Sequence, residues 1–556
     1  MRGTRRGTAT DRRLMLNGRR IAGAAAAVVV ITVISKILGF GREAALAAVF
    51  GASGATDAYL VAMIIPSLLF GVVGTTITTV GIPLFAEYIH DPARRRELAG
   101  LLWSTFHGIV VFLGLVVLVA WLLTPWLVRL MAPGFEGEQA QLTVLLVRVL
   151  LPAAVFMGLA GWAQGVLNAH QRFTAPAAMG IPYNVIIIAA ILLSGRWWGI
   201  EGVAVATLLG IAAQFLIQLP TFRRLGLSYR PLFDLGHPGL RRMLLLAGPV
   251  IIGVGANQLN VIVDRMLASG LAEGSISALN YAQKALGLPV GLFALPLVTV
   301  LYSSLSRHNV VGDAAAFRET LARGLSVLGF LMIPMTVGLI VLRADFVRFL
   351  FQRGAFDDAD AAMTGTAVLF YSLGILFIVW WDYLNRTFYA LQDTATPMWT
   401  GLAAVAVNIG LNLALVRVMG LGGLALASSA AALVGFGLIL WRLRRRLGRI
   451  GGRRLAIETG KVCLAAGLMG LAVWRANEAL AAGAWGLLAE QLVQALGGGA
   501  LGDFAAAGVK LIGLIAFGGL VYTVLCRLLR VREMALVWEL GRSVLGRLAG
   551  ANRQAG

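Results

Sequence analysis

The chain has 556 residues, 59% of them hydrophobic and only 13% charged, with a mean hydropathy of +0.83; a soluble core of that length uses far less apolar sequence, so the composition describes a polytopic membrane protein. The net charge of +21 would suit a nucleic-acid partner, but the bases cluster in short loops between apolar runs and lack interleaved aromatics, which argues against nucleic acid and for membrane sidedness. Cys463 and Cys526 fall in or at the ends of apolar runs, so neither a disulfide framework nor a metal cluster is expected.

The first twenty residues, MRGTRRGTATDRRLMLNGRR, are polar and basic and lead into an apolar run without a small-residue cleavage motif, which reads as a retained cytoplasmic tail over 1–20. Windows of about 20 apolar residues then predict an all-α chain of fourteen spans, near 21–50, 57–84, 99–125, 141–167, 175–195, 199–220, 240–263, 275–304, 323–342, 363–390, 396–416, 420–440, 458–475 and 510–529. The even-numbered gaps collect bases, among them Arg94 to Arg96, His170 and Arg172, Arg223 to Arg242, Arg307 to Arg323, and Arg442 to Arg454 with Arg449. Most odd-numbered gaps hold one, such as Arg129, Arg196 or Arg417; the ninth is an exception, with Arg343, Arg348 and Arg353 against Asp345, Asp357 and Asp358. The positive-inside rule therefore places both termini in the cytoplasm.

The sequence also compares with itself. APGFEG (132–137) matches RGAFDD (353–358), LNAHQRFTAP (167–176) matches FYALQDTATP (388–397), and WGIEGVAVAT (198–207) matches MGLGGLALAS (419–428), all at an offset of 221 residues. An offset covering six spans returns the chain to the same side, so two parallel six-helix lobes are expected, 21–225 and 240–445, followed by accessory helices 13 and 14 over 456–530 and a cytoplasmic tail over 531–556. Parallel repeats of this kind belong to transporters with the substrate path between the halves.

Ionisable groups inside spans cost about 2.5–3.5 kcal/mol each unless they meet a cavity or a partner. In SKILGFGREAALAAVFGASGATDAY (35–59), Lys36 and Arg42 point about 240° apart on a straight helix, and Gly39 and Gly41 permit a bend that would bring both to one cavity. The alternative is that Lys36 snorkels and Arg42 simply pairs with Glu43. Thr56 or Asp57 either caps the second span or, in the case of Asp57, gates the outer mouth. In the second half, Ser277, Asn280 and Lys284 share one helical face by spacing and form a candidate pore-lining stripe. Asp264 and Arg265 form either a gate or an interfacial pair, and Asp382, Asn385 and Arg386 share a face of the tenth span with the same two readings.

Bases from both halves imply an anionic substrate, and the planar fork of arginine suits phosphate. No GxxxxGKS-type loop is present, so nucleotide hydrolysis is not expected; transport would run on an ion gradient, the membrane potential or the substrate gradient, with no cofactor and no particular coupling ion indicated.

The segment 35–69 resembles the opening of the MurJ (MviN) lipid II flippases of the multidrug/oligosaccharidyl-lipid/polysaccharide exporter superfamily. The likeness continues through PLFAEY (83–88), MAPGF (131–135), LNAHQRFTAP, YAQKALGLPVGLFALPLVTVLYSSLSR (281–307), FQRGAFDDAD (351–360) and FYALQDTATP, and covers roughly 20–445. It implies alternating access by two lobes in the bacterial inner membrane, moving an undecaprenyl-diphosphate-linked peptidoglycan precursor to the outer leaflet, with two added helices that receive the lipid tail. Arg42 matches the family's phosphate-contacting arginine, Lys36 stands where another arginine is usual, Glu43 where an acid is usual, Asp57 at the TDA aspartate, Lys284 at a basic position of the eighth helix, and Ser277 at a nearby serine. One stretch departs: Phe70 and Gly71 replace a usual pair of bases, and Thr75 stands near a usual acid. That thins the positive charge and leaves another polyprenyl-diphosphate-linked glycan, or a drug or cation antiporter of the superfamily, as alternatives; the partners expected are the glycan lipid and membrane lipids, with no stable protein partner inferred.

Overall fold

The computed structural model describes residues 6–194, 197–448, 451–484 and 499–534, with 491 and 493. Residues 1–5, Arg196, Arg449 and the tail beyond 534 lie outside the described residues, as do the side chains of 6–25 and 249–257. The described residues contain helices and no strand, and they divide into two compact units, Met1–Ser277 and Ala278–Gly556.

In the first unit α1 (Arg6–Phe50) is followed by α2 (Gly54–Ala62), α3 (Ile64–Thr76), a π-helical turn at Ile77–Gly81 and α4 (Ile82–His90). Next come α5 (Leu98–Leu122), α6 (Thr124–Met131), α7 (Gly137–Leu150), α8 (Ala153–Ala169), α9 (Thr174–Ala178), α10 (Gly180–Ser194), α11 (Gly199–Leu216), α12 (Leu219–Arg224) and α13 (Pro238–Ala268). Helix α14 (Ser275–Pro289) opens at the boundary and leads through a second π-helical turn, Val290–Ala294, into α15 (Leu295–Val311). The second unit continues with α16 (Ala314–Val341), α17 (Arg343–Phe351), α18 (Asp358–Ser372), α19 (Ile375–Ala390), α20 (Ala395–Met419), α21 (Leu421–Leu447), α22 (Gly452–Ala479) and α23 (Gly499–Leu528).

Eleven of these helical stretches are long and apolar enough to cross a membrane, and α18 with α19, bent by 46° at their junction, make a twelfth. Helices α1 and α13 occupy the other two predicted positions; α1 carries Lys36, Arg42 and Glu43. The expected tail does not stand apart from the first span, because from Arg6 onward the backbone is already helical. Its run RRLMLNGRR holds no proline and is rich in good helix formers.

Local geometry repeats at the offset seen in the sequence. Gly54–His90 and Ser275–Val311 are both 37 residues long; each carries a π turn, Ile77–Gly81 in the first and Val290–Ala294, nearer the start of its stretch, in the second. Gln171 and Gln392 both adopt left-handed backbone, φ 58° and 59°. In each case the following residue bonds back across the helix end, Arg172 N to Leu167 O at 2.8 Å and Asp393 N to Phe388 O at 2.9 Å, a Schellman-type stop.

Packing in the first unit centres on Phe85, Leu101, Trp162 and Val166 in one cluster, and on Leu46, Ala58, Leu146, Leu150, Ile187 and Val203 in another. In the second unit α16, α22 and α23 share a core of Phe330, Ile333, Val462, Ala465, Met469, Leu511 and Leu514. Two polar ties fasten the last two helices there: Tyr522 donates to Phe330 O at 2.8 Å, and Asp345 on α17 accepts from Lys510 at 2.7 Å and Asn477 at 2.8 Å. With Arg348 paired to Asp358 at 3.2 Å, these bonds also show why the ninth gap breaks the charge pattern: its bases and acids partly serve one another. Outward faces carry apolar side chains such as Leu115, Leu192, Leu245 and Val300, as a surface in lipid requires.

Candidate functional site

Helix α1 packs along α10, and its two glycines serve that contact. A Cβ on Gly39 would lie 3.6 Å from Asn184 Nδ2, and one on Gly41 would lie 4.0 Å from Ile188 Cδ1, while Asn184 Nδ2 donates to Ser35 O at 3.3 Å. No unwound turn forms at Gly39 and Gly41: α1 runs as one unbroken helix through both. Small residues here let two helices approach rather than loosening one of them. Lys36 and Arg42 consequently stay on different faces, and the structure leaves Lys36 exposed between exposed Val33 and Ile37.

Arg42 is largely enclosed, its side chain 18% exposed. Its Nη2 donates to Glu43 Oε1 at 2.6 Å, and its guanidinium carbon lies 5.0 Å from the centre of the Tyr183 ring. Tyr59, within electrostatic reach of Arg42, shares a 2.8 Å hydrogen bond with Thr207. Glu43 and Tyr183 together offset the cost of enclosing the cation and hold its plane. A guanidinium has five N–H donors, so one bond to Glu43 leaves capacity for a bidentate acceptor.

The second cluster forms around Asp57. The cap of α2 is Ser53, whose hydroxyl accepts from Thr56 N at 3.4 Å, and Thr56 donates to Gly51 O at 3.1 Å; neither Thr56 nor Asp57 plays that role. Asp57 instead reaches the start of α14. Its Oδ2 accepts from Gly274 N at 2.9 Å, and its Oδ1 accepts from Ser277 N at 2.7 Å and Ser277 Oγ at 2.5 Å. These are donors that a helix N-terminus leaves without intrahelical partners, so a carboxylate there acts as a cap supplied from another helix. Around it, Gly54 N donates to Glu273 Oε1 at 2.6 Å, Gln139 Nε2 donates to Gly54 O at 3.3 Å, and Gly134 N donates to Ser269 Oγ at 3.2 Å. The approach is close enough to demand glycine: at Gly274, φ 83°, a Cβ would sit 1.9 Å from Ala52 O.

The remaining sequence candidates separate. Ser277 and Asn280 are buried and Lys284 is exposed, so the three do not present one open stripe; Ser277 is engaged by Asp57. Asp264 and Arg265 are half-buried, and Arg265 Nη1 donates to Ile276 O at 2.9 Å, bracing the same turn that Asp57 caps. Asp382 and Arg386 pair at 3.2 Å on α19, with Asn385 half-buried between them. Phe70, where bases are usual in the family, packs near Gly74, whose Cβ would lie 3.1 Å from its ring, and near Gly161 at 3.7 Å. Tyr183 and Glu273 were missed by sequence reasoning because each acts on a residue more than a hundred positions away. The signal for Glu273 was its place beside Gly274, which is left-handed at φ 83° and opens the turn into α14. Among the described residues no cluster of metal-ligating side chains occurs.

The family described as lipid II flippase MurJ matches residues 46–494, a span that begins just after Arg42 and Glu43. A lipid II flippase MurJ from Burkholderia cenocepacia is 30% identical over 426 residues, 75% of this chain and 82% of that one. A probable lipid II flippase MurJ from Haemophilus influenzae is 30% identical over 464 residues, 80% of this chain and 90% of that one. Among solved structures, a lipid II flippase MurJ in an inward closed conformation superposes with a TM-score of 0.75 at 25% identity, covering 90% of this chain and 98% of that one. An inward-facing multidrug resistance MATE family transporter superposes at 0.64 with 12% identity over 77% of this chain and 98% of that one, and shares the fold. With the family match running through both repeats and most of the relatives' length covered, this chain belongs to the lipid II flippase MurJ family.

Proposed function

We propose that the protein is a lipid II flippase that moves an undecaprenyl-diphosphate-linked peptidoglycan precursor from the inner to the outer leaflet of the bacterial inner membrane by alternating access, with both termini cytoplasmic. It is a transporter and not an enzyme. The observation that carries this reading is the match to the lipid II flippase family across residues 46–494.

Arg42 binds the diphosphate. Its guanidinium is already enclosed and oriented by Glu43 and the Tyr183 ring, so little ordering remains when phosphate oxygens arrive. Pairing the diphosphate with a fixed cation lowers the cost of taking its charge through a low-dielectric region. Lys284, exposed on α14, is a second base assigned to the substrate, and Asp382 with Arg386 supports the α19 face. Asp57 latches α2 to the start of α14; breaking its bonds to Gly274 and Ser277 frees that turn during the transport cycle.

The test is depletion of the essential flippase in a bacterial host, complementation with this chain, and a leaflet-specific assay of lipid II. Restored growth with lipid II reaching the outer leaflet supports the function; failure despite membrane expression overturns it in favour of another glycan lipid.

A further inference from the structure

Arg148 stands alone in an apolar run. It lies in the last turn of α7, 11 residues after Gly137, within the membrane-crossing stretch Gly137–Ala169. At 1.5 Å per residue that is about 16 Å from Gly137 and about 10 Å from Gln141, where the apolar run begins, a depth from which an arginine side chain reaches back toward the polar edge of the layer. Arg148 pairs with no carboxylate among the described residues, and its Nε is buried without a hydrogen-bond acceptor there. Its guanidinium carbon instead stands 4.7 Å from the centre of the Trp121 ring, in the last turn of α5.

The surroundings are apolar and open. Trp121 is 42% exposed, and Leu118, Leu122 and Leu145 on the same two helices are exposed as well. In a helix the Cα–Cβ bond tilts toward the N-terminus, so Arg148 is aimed toward the Gly137 end, the end at which α5 also finishes. A cation–π contact holds the guanidinium's plane but uses none of its N–H donors in the manner of an oxygen acceptor. The fold does not require a base here: the repeat counterpart, 221 residues on, is Leu369. An unpaired arginine in an apolar span calls for an acceptor, and lipid phosphate is the one available along an outward-facing seam.

We propose that Arg148 and Trp121 form a membrane-facing site for the phosphate of a lipid in the leaflet on the Gly137 side, the outer leaflet in the orientation given above. The indole braces the guanidinium so that its fork receives phosphate oxygens, from either an anionic phospholipid or a polyprenyl diphosphate. The site is separate from Arg42 and stands whether or not the transport assignment holds.

The test uses the purified, delipidated full chain and native mass spectrometry with phosphatidylglycerol, undecaprenyl diphosphate and a diacylglycerol of the same acyl chains as a phosphate-free control. Wild type retains a phosphate-bearing lipid in preference to diacylglycerol, and Arg148→Gln weakens that retention at least fivefold. Arg148→Lys, which keeps the charge and loses the fork, falls between them, and Trp121→Leu weakens retention without removing the charge, which serves if the glutamine variant does not fold. A loss confined to phosphatidylglycerol identifies a structural phospholipid; a loss confined to undecaprenyl diphosphate identifies the polyprenyl lipid. Equal retention of both phosphate-bearing lipids by wild type, Arg148→Gln and Trp121→Leu overturns the proposal, as does equal retention of diacylglycerol by wild type.

Discussion

Removing the Asp57 carboxylate tests the latch directly. Asp57→Ala leaves Gly274 N, Ser277 N and Ser277 Oγ without the acceptor they hold at 2.9, 2.7 and 2.5 Å, in a place where the aspartate is 2% exposed. Each buried donor left unsatisfied costs about 1–3 kcal/mol, and because the three share one partner the losses overlap; about 3 kcal/mol is the expected total. The penalty falls on the first turn of α14 rather than on the whole fold, since Ser53 caps α2 independently. Hydrogen exchange read by mass spectrometry over residues 270–280 is the assay. With opening that much easier, exchange at the amides of Gly274 and Ser277 rises about 100-fold, while peptides in the α16, α22 and α23 core keep wild-type rates. Ser277→Ala, which loses only the hydroxyl bond, gives a smaller rise. Wild-type exchange in Asp57→Ala, with the chain folded, refutes the claim that this carboxylate holds the turn.

Arg42→Ala weakens binding of undecaprenyl diphosphate to the purified protein at least tenfold and Arg42→Lys less, whereas Lys36→Gln, on the exposed face, has a smaller effect than either; equal affinity in all four proteins defeats the role given to Arg42. Gly274→Ala lowers the unfolding temperature in detergent, because its φ of 83° and the 1.9 Å approach to Ala52 O leave no room for a methyl group; an unchanged transition would be contrary. Between α19 and α20, the Thr396 backbone N–H, assisted by its hydroxyl and by Arg446 at 2.8 Å, holds the Asp393 carboxyl below the usual carboxylate range. A depressed value contributes stability that is present above the unfolded pKa of about 3.9 and fades as pH falls through the folded one. Asp393→Asn is therefore less stable than wild type at pH 7 by a small margin, below about 1 kcal/mol for a half-buried carboxylate whose ion-pair partner Arg446 is exposed, and thermal melts at descending pH converge; a gap that widens toward pH 3 contradicts this.

The helices were legible in the sequence because lipid imposes a length and a composition on each, and the repeat was legible because its turns need the same residues twice, as at Gln171 and Gln392. Side-chain destinations were less so. Gly39 and Gly41 have the same letters whether they loosen a helix or admit a neighbour, and only the position of α10 decides. The spacing of Ser277, Asn280 and Lys284 placed them on one face, but a face that begins under a cap and ends in the open does not have one environment. Asp57 was legible as a capping residue; its target, 217 to 220 positions away, was not.

The π turns at Ile77–Gly81 and Val290–Ala294 have a consequence of their own. Each inserts a residue into an otherwise regular winding and so advances everything beyond it by about 100°. A straight 37-residue rod would present one seam along its whole length; with the insertion the winding is re-indexed, and Phe70 before the first turn and Phe85 after it both reach α8, beside Gly161 and Gly165. Deleting a single residue within either turn would re-register half of a helix, leaving its composition nearly intact while turning its inward side chains toward lipid.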